Sequence, residues 1–159
     1  MKAEGRFGRR VALVTGGASG IGKATCLALA REGAHVMVSD INLEGARQVV
    51  AEIVDFGGRA IAFGTDSRNR EQVEEMVRHI DDRYDGVDIL VNSAGGGTPG
   101  GLAHEMTEEE WDAGIQLNLK TVFLCCREVL QKMLFRHRGR IVNVASIAGE
   151  ITSVLANSA

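Results

Sequence analysis

Five short apolar segments, most of them separated by a constant interval, constrain the fold of this chain more than any other feature. They end at polar residues, namely Thr15, Asp40, Asp66, Asn92 and Ser146, and the first four ends lie 25 or 26 residues apart. The stretches between them carry apolar residues at helical spacing. Apolar strands without polar alternation are typical of parallel sheets that are buried on both faces. The spacing therefore predicts repeated βα units and an α/β fold with a doubly wound parallel sheet.

The polar residues at the ends of these segments indicate a binding site. In a parallel sheet the carboxyl ends of all strands lie at one edge, and open α/β folds bind ligands outside that edge. One polar residue at a strand end is commonly a cap. Five of them at one edge predict a site.

A glycine-rich turn joins the first segment to a helical stretch that is rich in Ala and Leu. In the sequence TGGASGIG, Gly16 permits a sharp turn, Gly20 lets the backbone approach a pyrophosphate, and Gly22 lets the helix pack close to the sheet. The helix N-terminus attracts phosphate charge. The spacing GxxxGxG differs from the commoner GxGxxG, but strand, glycines and helix occur in the expected order. We predict a dinucleotide site that includes Gly16, Ser19, Gly20, Ile21 and Gly22.

Asp40 follows the glycine turn by about 20 residues, the distance at which dinucleotide-binding domains carry an acidic residue. Its carboxylate can accept hydrogen bonds from both ribose hydroxyls and would repel a 2′-phosphate. Ser19 and Ile41 occupy positions where a cation could otherwise bind that phosphate. Asp40 could instead cap the next helix, a role that Asn42 fills at least as well. These residues predict NAD rather than NADP as the cofactor.

Together the motifs resemble the short-chain dehydrogenase/reductase family, in its compact subgroup. TGGASGIG is similar to the family's TGxxxGIG motif, and residues 91–95 (VNSAG) are similar to its NNAG motif, with Ser93 in place of the second Asn. The resemblance extends from about Arg10 to the end of the sequence. It implies a Rossmann-type sheet with strand order 3-2-1-4-5 over these residues. It also implies one dinucleotide-binding domain over residues 1–159 that is incomplete at its C-terminal end.

The resemblance adds residues to the expected cofactor site. Asp66, with Ser67 beside it, matches the family's aspartate at the adenine, and the NNAG-like segment contributes Asn92, Ala94 and Gly95. From the residues alone, Asp66 could instead cap the following helix, and Asn92 could tie neighbouring strands together.

The resemblance also implies a reaction. Asn118 and Ser146 match the asparagine and serine of the family's catalytic tetrad, although Asn118 could also be a satisfied core amide and Ser146 a strand-end cap. The implied activity is NAD(H)-dependent hydride transfer between a secondary alcohol and a ketone, with a small-molecule substrate. The tetrad's tyrosine and lysine are expected beyond residue 159. Tyr84, the only tyrosine, lies nearly 20 Å from the carboxyl edge if about six residues of strand separate them. Residues 1–159 alone are therefore expected to be inactive, poorly soluble and open at the fifth strand's edge.

Other function classes are less consistent with the sequence. A non-catalytic dinucleotide-binding or sensing module stays open, whereas Asn118 and Ser146 disfavour a Rossmann-type methyltransferase. His104-Glu105 begins like the zinc motif HExxH, but Glu108 replaces the second histidine, so no metal site is expected. The net charge of −3 and the scattered Lys and Arg residues predict neither a nucleic-acid partner nor a membrane surface.

Location and assembly follow from two further patterns. No apolar run is long enough for a signal sequence or a spanning helix, and the three cysteines lie in apolar contexts, so we expect a cytoplasmic protein with reduced thiols.

The expected helix Thr107–His137 opens with a capping box. It has apolar residues on two sides, with Trp111, Ile115, Val122, Cys126 and either Val129 or Leu130 on one and Leu117, Leu124 and Cys125 elsewhere. The family pairs this helix across a two-fold axis, so a homodimer or homotetramer is expected.

Overall fold

The predicted strands form one parallel sheet in the computed structural model, which describes residues 5–97 and 104–146. The strands are β1 (Val11–Thr15), β2 (His35–Asp40), β3 (Arg59–Gly64), β4 (Ile89–Asn92) and β5 (Arg140–Asn143). The helices are α1 (Gly20–Arg31), α2 (Leu43–Asp55), α3 (Arg70–Tyr84), α4 (Glu108–Ile115) and α5 (Thr121–Phe135), and a π-helical turn, Gln116–Lys120, joins the last two. The sheet order is β3-β2-β1-β4-β5, which confirms the predicted topology.

The sheet is covered on both faces, as the unbroken apolar strands require. Leu13 of β1 packs in a cluster with Ile80 of α3 and Val129 of α5, so these helices cover one face. The next residue, Val14, points to the opposite face and packs in a cluster with Ile53 of α2, beside α1. All five residues of β1 are buried because the strand lies in the middle of the sheet with helices on either side.

The register brings the polar strand ends to one edge. Thr15 pairs with Ser39 of β2 on one side and with Asn92 of β4 on the other. Two segments end earlier than the sequence suggested, since β3 stops at Gly64 and β5 at Asn143. Asp66 and Ser146 therefore lie on the loops that follow their strands rather than at the strand ends, although both remain on the carboxyl side of the sheet.

The helix predicted from Thr107 to His137 is present as α4, the π-helical turn and α5 in succession, and its capping box between Thr107 and Glu110 is confirmed. The structure distinguishes the two alternatives, Val129 and Leu130, on its apolar side. Val129 is buried in the core because α5 packs against β4 and α3, whereas Leu130 is partly exposed. The exposed side carries Trp111, Ile115, Leu119, Phe123, Leu130 and Leu134.

The three cysteines are free thiols, two of them buried. Burial raises the pKa of Cys26 and of Cys125 to about 12, so both thiols stay protonated at neutral pH.

Across residues 5–97 and 104–146, no helix has both the length and the apolar character that a membrane crossing requires. The same residues include no group of three metal-ligating side chains close enough to hold an ion.

Candidate nucleotide-binding site

A cleft of about 640 Å³ opens at the carboxyl edge of the sheet, between the loops that follow β1 to β4 and the π-helical turn. It brings together nearly all of the residues that the sequence predicted for a cofactor. Those lining it are Gly16, Ser19, Gly20, Ile21, Gly22, Asp40, Ile41, Asp66, Ser67, Ala94 and Gly95. Asn92 is the predicted cofactor residue that does not line the cleft, and the two predicted catalytic residues, Asn118 and Ser146, are not in its lining either. Thr65, Arg68, Ser93, Leu117, Thr121 and Val144 also line it and were not predicted as site residues.

The glycine turn provides bare backbone at the middle of this cleft. Gly16 has a φ of +65°, and a Cβ atom there would lie 2.9 Å from backbone atoms of Ala94. A Cβ at Gly22 would overlap the carbonyl oxygen of Gly16. Gly20 has a φ of +50° and open space where its Cβ would be. Because α1 begins at Gly20, its first N–H groups also face the cleft, and the turn fits a phosphate-bearing group.

Thr15 fixes the loop after β4 against the glycine turn. Its Oγ1 accepts hydrogen bonds from the N–H groups of Ser93 and Ala94, both at 3.1 Å between N and O, and its side chain is buried. The sequence marked Thr15 only as a polar strand end and gave no sign of these two partners, which are almost 80 residues away.

Asp40 is held by the backbone on both of its carboxylate oxygens. The Ala18 N–H donates to Oδ2 at 3.0 Å, and the Asn42 N–H donates to Oδ1 at 2.9 Å. Asn42 in turn caps α2 by accepting a bond from the Gly45 N–H. The alternative role of Asp40 as the cap of α2 is therefore filled by Asn42, and the Asp40 carboxylate faces the cleft with lone pairs to spare.

Asp66 forms an ion pair that the sequence did not predict. Arg68 reaches it with Nε at 2.9 Å from Oδ1 and with Nη2 at 2.8 Å from Oδ2, and the Arg68 N–H also donates to Oδ1 at 2.9 Å. These donors hold the pKa of Asp66 below its usual value. Asp66 does not cap α3, since Asn69 does so through the Gln72 N–H.

Asn118 lies in the π-helical turn and binds the loop after β4. Its Oδ1 accepts a bond from the Gly96 N–H at 3.0 Å, and its Nδ2 donates to the carbonyl oxygens of Gly96 and Gly114 at 3.1 and 3.2 Å. The amide is satisfied, but it is exposed and is not a core amide. Two neighbours in the same helical segment, Leu117 and Thr121, extend the cleft wall on this side.

Asn92 lies below the cleft and ties strands together. Its Nδ2 donates to Oδ1 of Asn143 on β5 at 2.9 Å and contacts the half-buried Sγ of Cys126 at 3.4 Å. This is the strand-tying role that the sequence left open. Val144, just beyond β5, donates its N–H to the Asn92 carbonyl oxygen and lines the cleft, and Ser146 follows two residues later on the surface.

Comparison with known proteins identifies the family. Residues 10–158 match the sequence model of the family described as short chain dehydrogenase. A 3-oxoacyl-[acyl-carrier-protein] reductase of Synechocystis sp. is 45% identical over 141 residues, which are 88% of this chain and 57% of that protein. A cyclopentanol dehydrogenase of Comamonas testosteroni is 43% identical over 145 residues, covering 91% of this chain and 58% of the relative.

Solved structures give the same result. A 7α-hydroxysteroid dehydrogenase complexed with NADH and 7-oxo glycochenodeoxycholic acid superposes with a TM-score of 0.87 at 33% identity, over 93% of this chain and 57% of that one. A metagenomic short-chain oxidoreductase in complex with NADP superposes with a TM-score of 0.86 at 36% identity, over 91% and 66%. The chain thus spans less than two thirds of the length of the curated relatives. With a matching family model, strand order and glycine turn, it belongs to the short-chain dehydrogenase family.

Proposed function

We propose that the protein is an NAD(H)-dependent oxidoreductase that interconverts a secondary alcohol and a ketone. The observation that carries this proposal is the cleft at the carboxyl edge, where side-chain-free backbone at Gly20 and the N-terminus of α1 lie beside the Asp40 carboxylate. A dinucleotide needs these three features together, because it carries two phosphates and a ribose diol. When bound, the cofactor would supply or accept the hydride.

In this proposal the chain's own residues bind and orient the cofactor and the substrate. The backbone of the glycine turn binds the pyrophosphate, and Asp40 accepts hydrogen bonds from the ribose hydroxyls. Ser146 binds the substrate oxygen. Asn118 holds the loop after β4, and in the proposed reaction it also anchors a water that relays protons. A tyrosine and a lysine beyond residue 159 would complete the proton transfer, in line with the greater length of the relatives.

The choice of NAD over NADP rests on Asp40. One similar structure is complexed with NADH and another with NADP, so the family alone does not decide between them. Two backbone N–H groups fix the Asp40 carboxylate in place, which prevents it from turning away from a 2′-phosphate. Ile41, the next residue, offers that phosphate no hydrogen-bond donor from its side chain, which is 67% exposed.

We expect the full-length protein to bind NADH at least about tenfold more tightly than NADPH, a difference of about 1.4 kcal/mol in binding free energy. The double variant Asp40→Ala, Ile41→Arg should narrow or reverse this ratio, because it removes the repulsion and adds a partner for phosphate. Titration calorimetry with both cofactors measures the ratio. Equal affinities in the unmodified protein would contradict the prediction.

A matched control separates a local contact from net charge. Glu44→Ala removes one negative charge from the exposed start of α2 without touching the cleft lining, so it should leave the NADH to NADPH ratio unchanged. A second measurement tests the reaction itself, by following NADH formation with a panel of secondary alcohols. Tight binding of NADH without turnover of any alcohol or ketone would favour the non-catalytic binding module instead.

We also propose that the protein is a homo-oligomer that pairs through the exposed stripe of α4, the π-helical turn and α5. Leu119, Phe123 and Leu134 on this stripe are each more than half exposed, and a contiguous apolar face of this kind usually binds a partner. A second copy is the partner proposed, since the family pairs this helix across a two-fold axis.

Phe123→Asp is expected to convert the full-length protein from a dimer to a monomer, or from a tetramer to a smaller species held by its remaining interfaces. A two-fold interface would bring two unpaired carboxylates into an apolar contact, which is strongly unfavourable. Light scattering at micromolar concentration measures the change. Gln131→Glu, a substitution at an exposed polar position of α5, is the control and should leave the mass unchanged. A monomeric unmodified protein would rule out the proposal.

A further inference from the structure

The pair of Asp66 and Arg68 leaves little of the Asp66 carboxylate free for a ligand. Oδ1 accepts from both the backbone N–H and the Nε of Arg68, and Oδ2 accepts from Nη2 at 2.8 Å and, more weakly, from Nε at 3.2 Å. A carboxylate oxygen has about two acceptor positions. Oδ1 is therefore fully used, and the acceptor capacity of this carboxylate is directed mainly at one guanidinium.

The arrangement also fixes the guanidinium. Two parallel N–H···O bonds set the plane of the Arg68 fork, and the backbone N–H bond ties the same loop to the same carboxylate. The Asp66 backbone is held in turn, because its N–H donates to Oε1 of Gln72 at 2.8 Å and its carbonyl accepts from the Asn69 N–H. Arg68 thus lies in the cleft lining as an oriented, planar group with a solvent-accessible surface.

Arg68 lies at the end of the cleft that the proposed function assigns to the adenosine half. Strands β2 and β3 lie on one side of β1, and β4 and β5 on the other, with the glycine turn between them. The loops after β2 and β3 supply Asp40, Ile41 and Arg68 to the same side of the cleft. The π-helical turn and Val144 lie on the opposite side.

We propose that Arg68 is a binding residue for the base of the dinucleotide, which stacks on the guanidinium plane, and that Asp66 acts on the base mainly by orienting Arg68. This inference rests on the proposed dinucleotide function and refines it. A guanidinium plane binds a base through its π face, with donors at its rim for ring nitrogens. Recognition of this kind depends on the plane of the base rather than on its exocyclic amino group.

The proposal is tested by titration of full-length protein with NADH, with reduced nicotinamide mononucleotide, which lacks the adenosine half, and with the reduced hypoxanthine analogue of NADH. Arg68→Ala should weaken NADH binding about tenfold, within the range measured when a stacking side chain is removed from a base. Binding of the mononucleotide should stay within about twofold, which sets the effect apart from a general structural loss. The unmodified protein should bind the adenine and hypoxanthine dinucleotides with similar affinity, because both bases offer a face.

Two further variants complete the test. Arg68→Lys keeps the positive charge but lacks the planar guanidinium, so it should bind NADH almost as weakly as Arg68→Ala does. NADH affinity equal to that of the unmodified protein would overturn the role of the plane. Arg70→Ala breaks an exposed pair with Glu74 outside the cleft and should bind all three ligands normally.

NADH binding by Arg68→Ala within twofold of the unmodified protein would also overturn the proposal. So would strong rejection of the hypoxanthine analogue, because Asp66 would then be the direct acceptor. Failure of the unmodified protein to bind NADH or NADPH would instead reject the proposed function.

Discussion

Gly22→Ala is expected to abolish dinucleotide binding and to lower the free energy of unfolding by about 3 kcal/mol, the upper end for overpacking at a tight site. The added Cβ would overlap the carbonyl of Gly16 and come within 3.2 Å of the Gly17 Cα. Both neighbours are backbone atoms of the glycine turn, so neither can move without displacing the turn from the cleft. Chemical denaturation and NADH titration of the full-length protein measure the two effects.

Gly57→Ala is the matched control for this substitution. Gly57 ends α2 with a φ of +83°, far from the cleft lining, and a Cβ there would meet nothing within 4 Å. The variant should lose about 1 kcal/mol through backbone strain and bind NADH normally. Unchanged stability and NADH affinity in Gly22→Ala would show that α1 and the turn can separate, contrary to the close packing described.

Thr15→Val should destabilise the fold by about 3 kcal/mol and weaken NADH binding at the same time. The substitution preserves shape but removes the acceptor of two half-buried N–H groups. Each unsatisfied donor costs about 1–3 kcal/mol when fully buried, and the lower part of that range applies to each of these two. Without that acceptor the loop at Ser93 and Ala94 loses its connection to β1, and this loop forms a wall of the cleft.

Thr15→Ser separates the hydroxyl from the methyl group. It keeps the acceptor and loses only one methyl, so it should retain NADH affinity and most of the stability. Thermal melts and NADH titrations of both variants provide the comparison. A serine variant as damaged as the valine variant would mean that packing of the methyl group, and not the pair of hydrogen bonds, holds the loop.

The edge of the sheet and the glycine turn could be predicted because their signals are local and repeat along the chain. An apolar segment that stops at Thr15 or Asn92 marks both a strand and its end, and parallel pairing then places such ends together. The same signal fails where apolar residues continue past the strand, as Val144 does after β5. The order of the elements is therefore better determined by the sequence than their final residues.

The faces of α5 and the partners of cleft residues could not be predicted, for a different reason. A helix that is apolar on two sides does not reveal which side meets the sheet, so the sequence could not decide between Val129, which is buried, and Leu130, which is partly exposed. Arg68 stands in a short polar loop, where no periodicity indicates whether a side chain points into a cleft. The hydrogen bonds of Asn118 depend on a loop more than 20 residues away, a distance over which one sequence carries no pattern.

The two backbone hydrogen bonds to Asp40 have a consequence for how this chain could change its cofactor over evolutionary time. The carboxylate that the proposed function sets against a 2′-phosphate also holds the Ala18 N–H in the glycine turn and the Asn42 N–H before α2. A first mutation at Asp40 would therefore remove the hydrogen bonds that hold the glycine turn before any new cation could bind a 2′-phosphate. Lineages that start from this arrangement would reach NADP more readily by acquiring a cation at position 19 or 41 first, and by losing the aspartate afterwards.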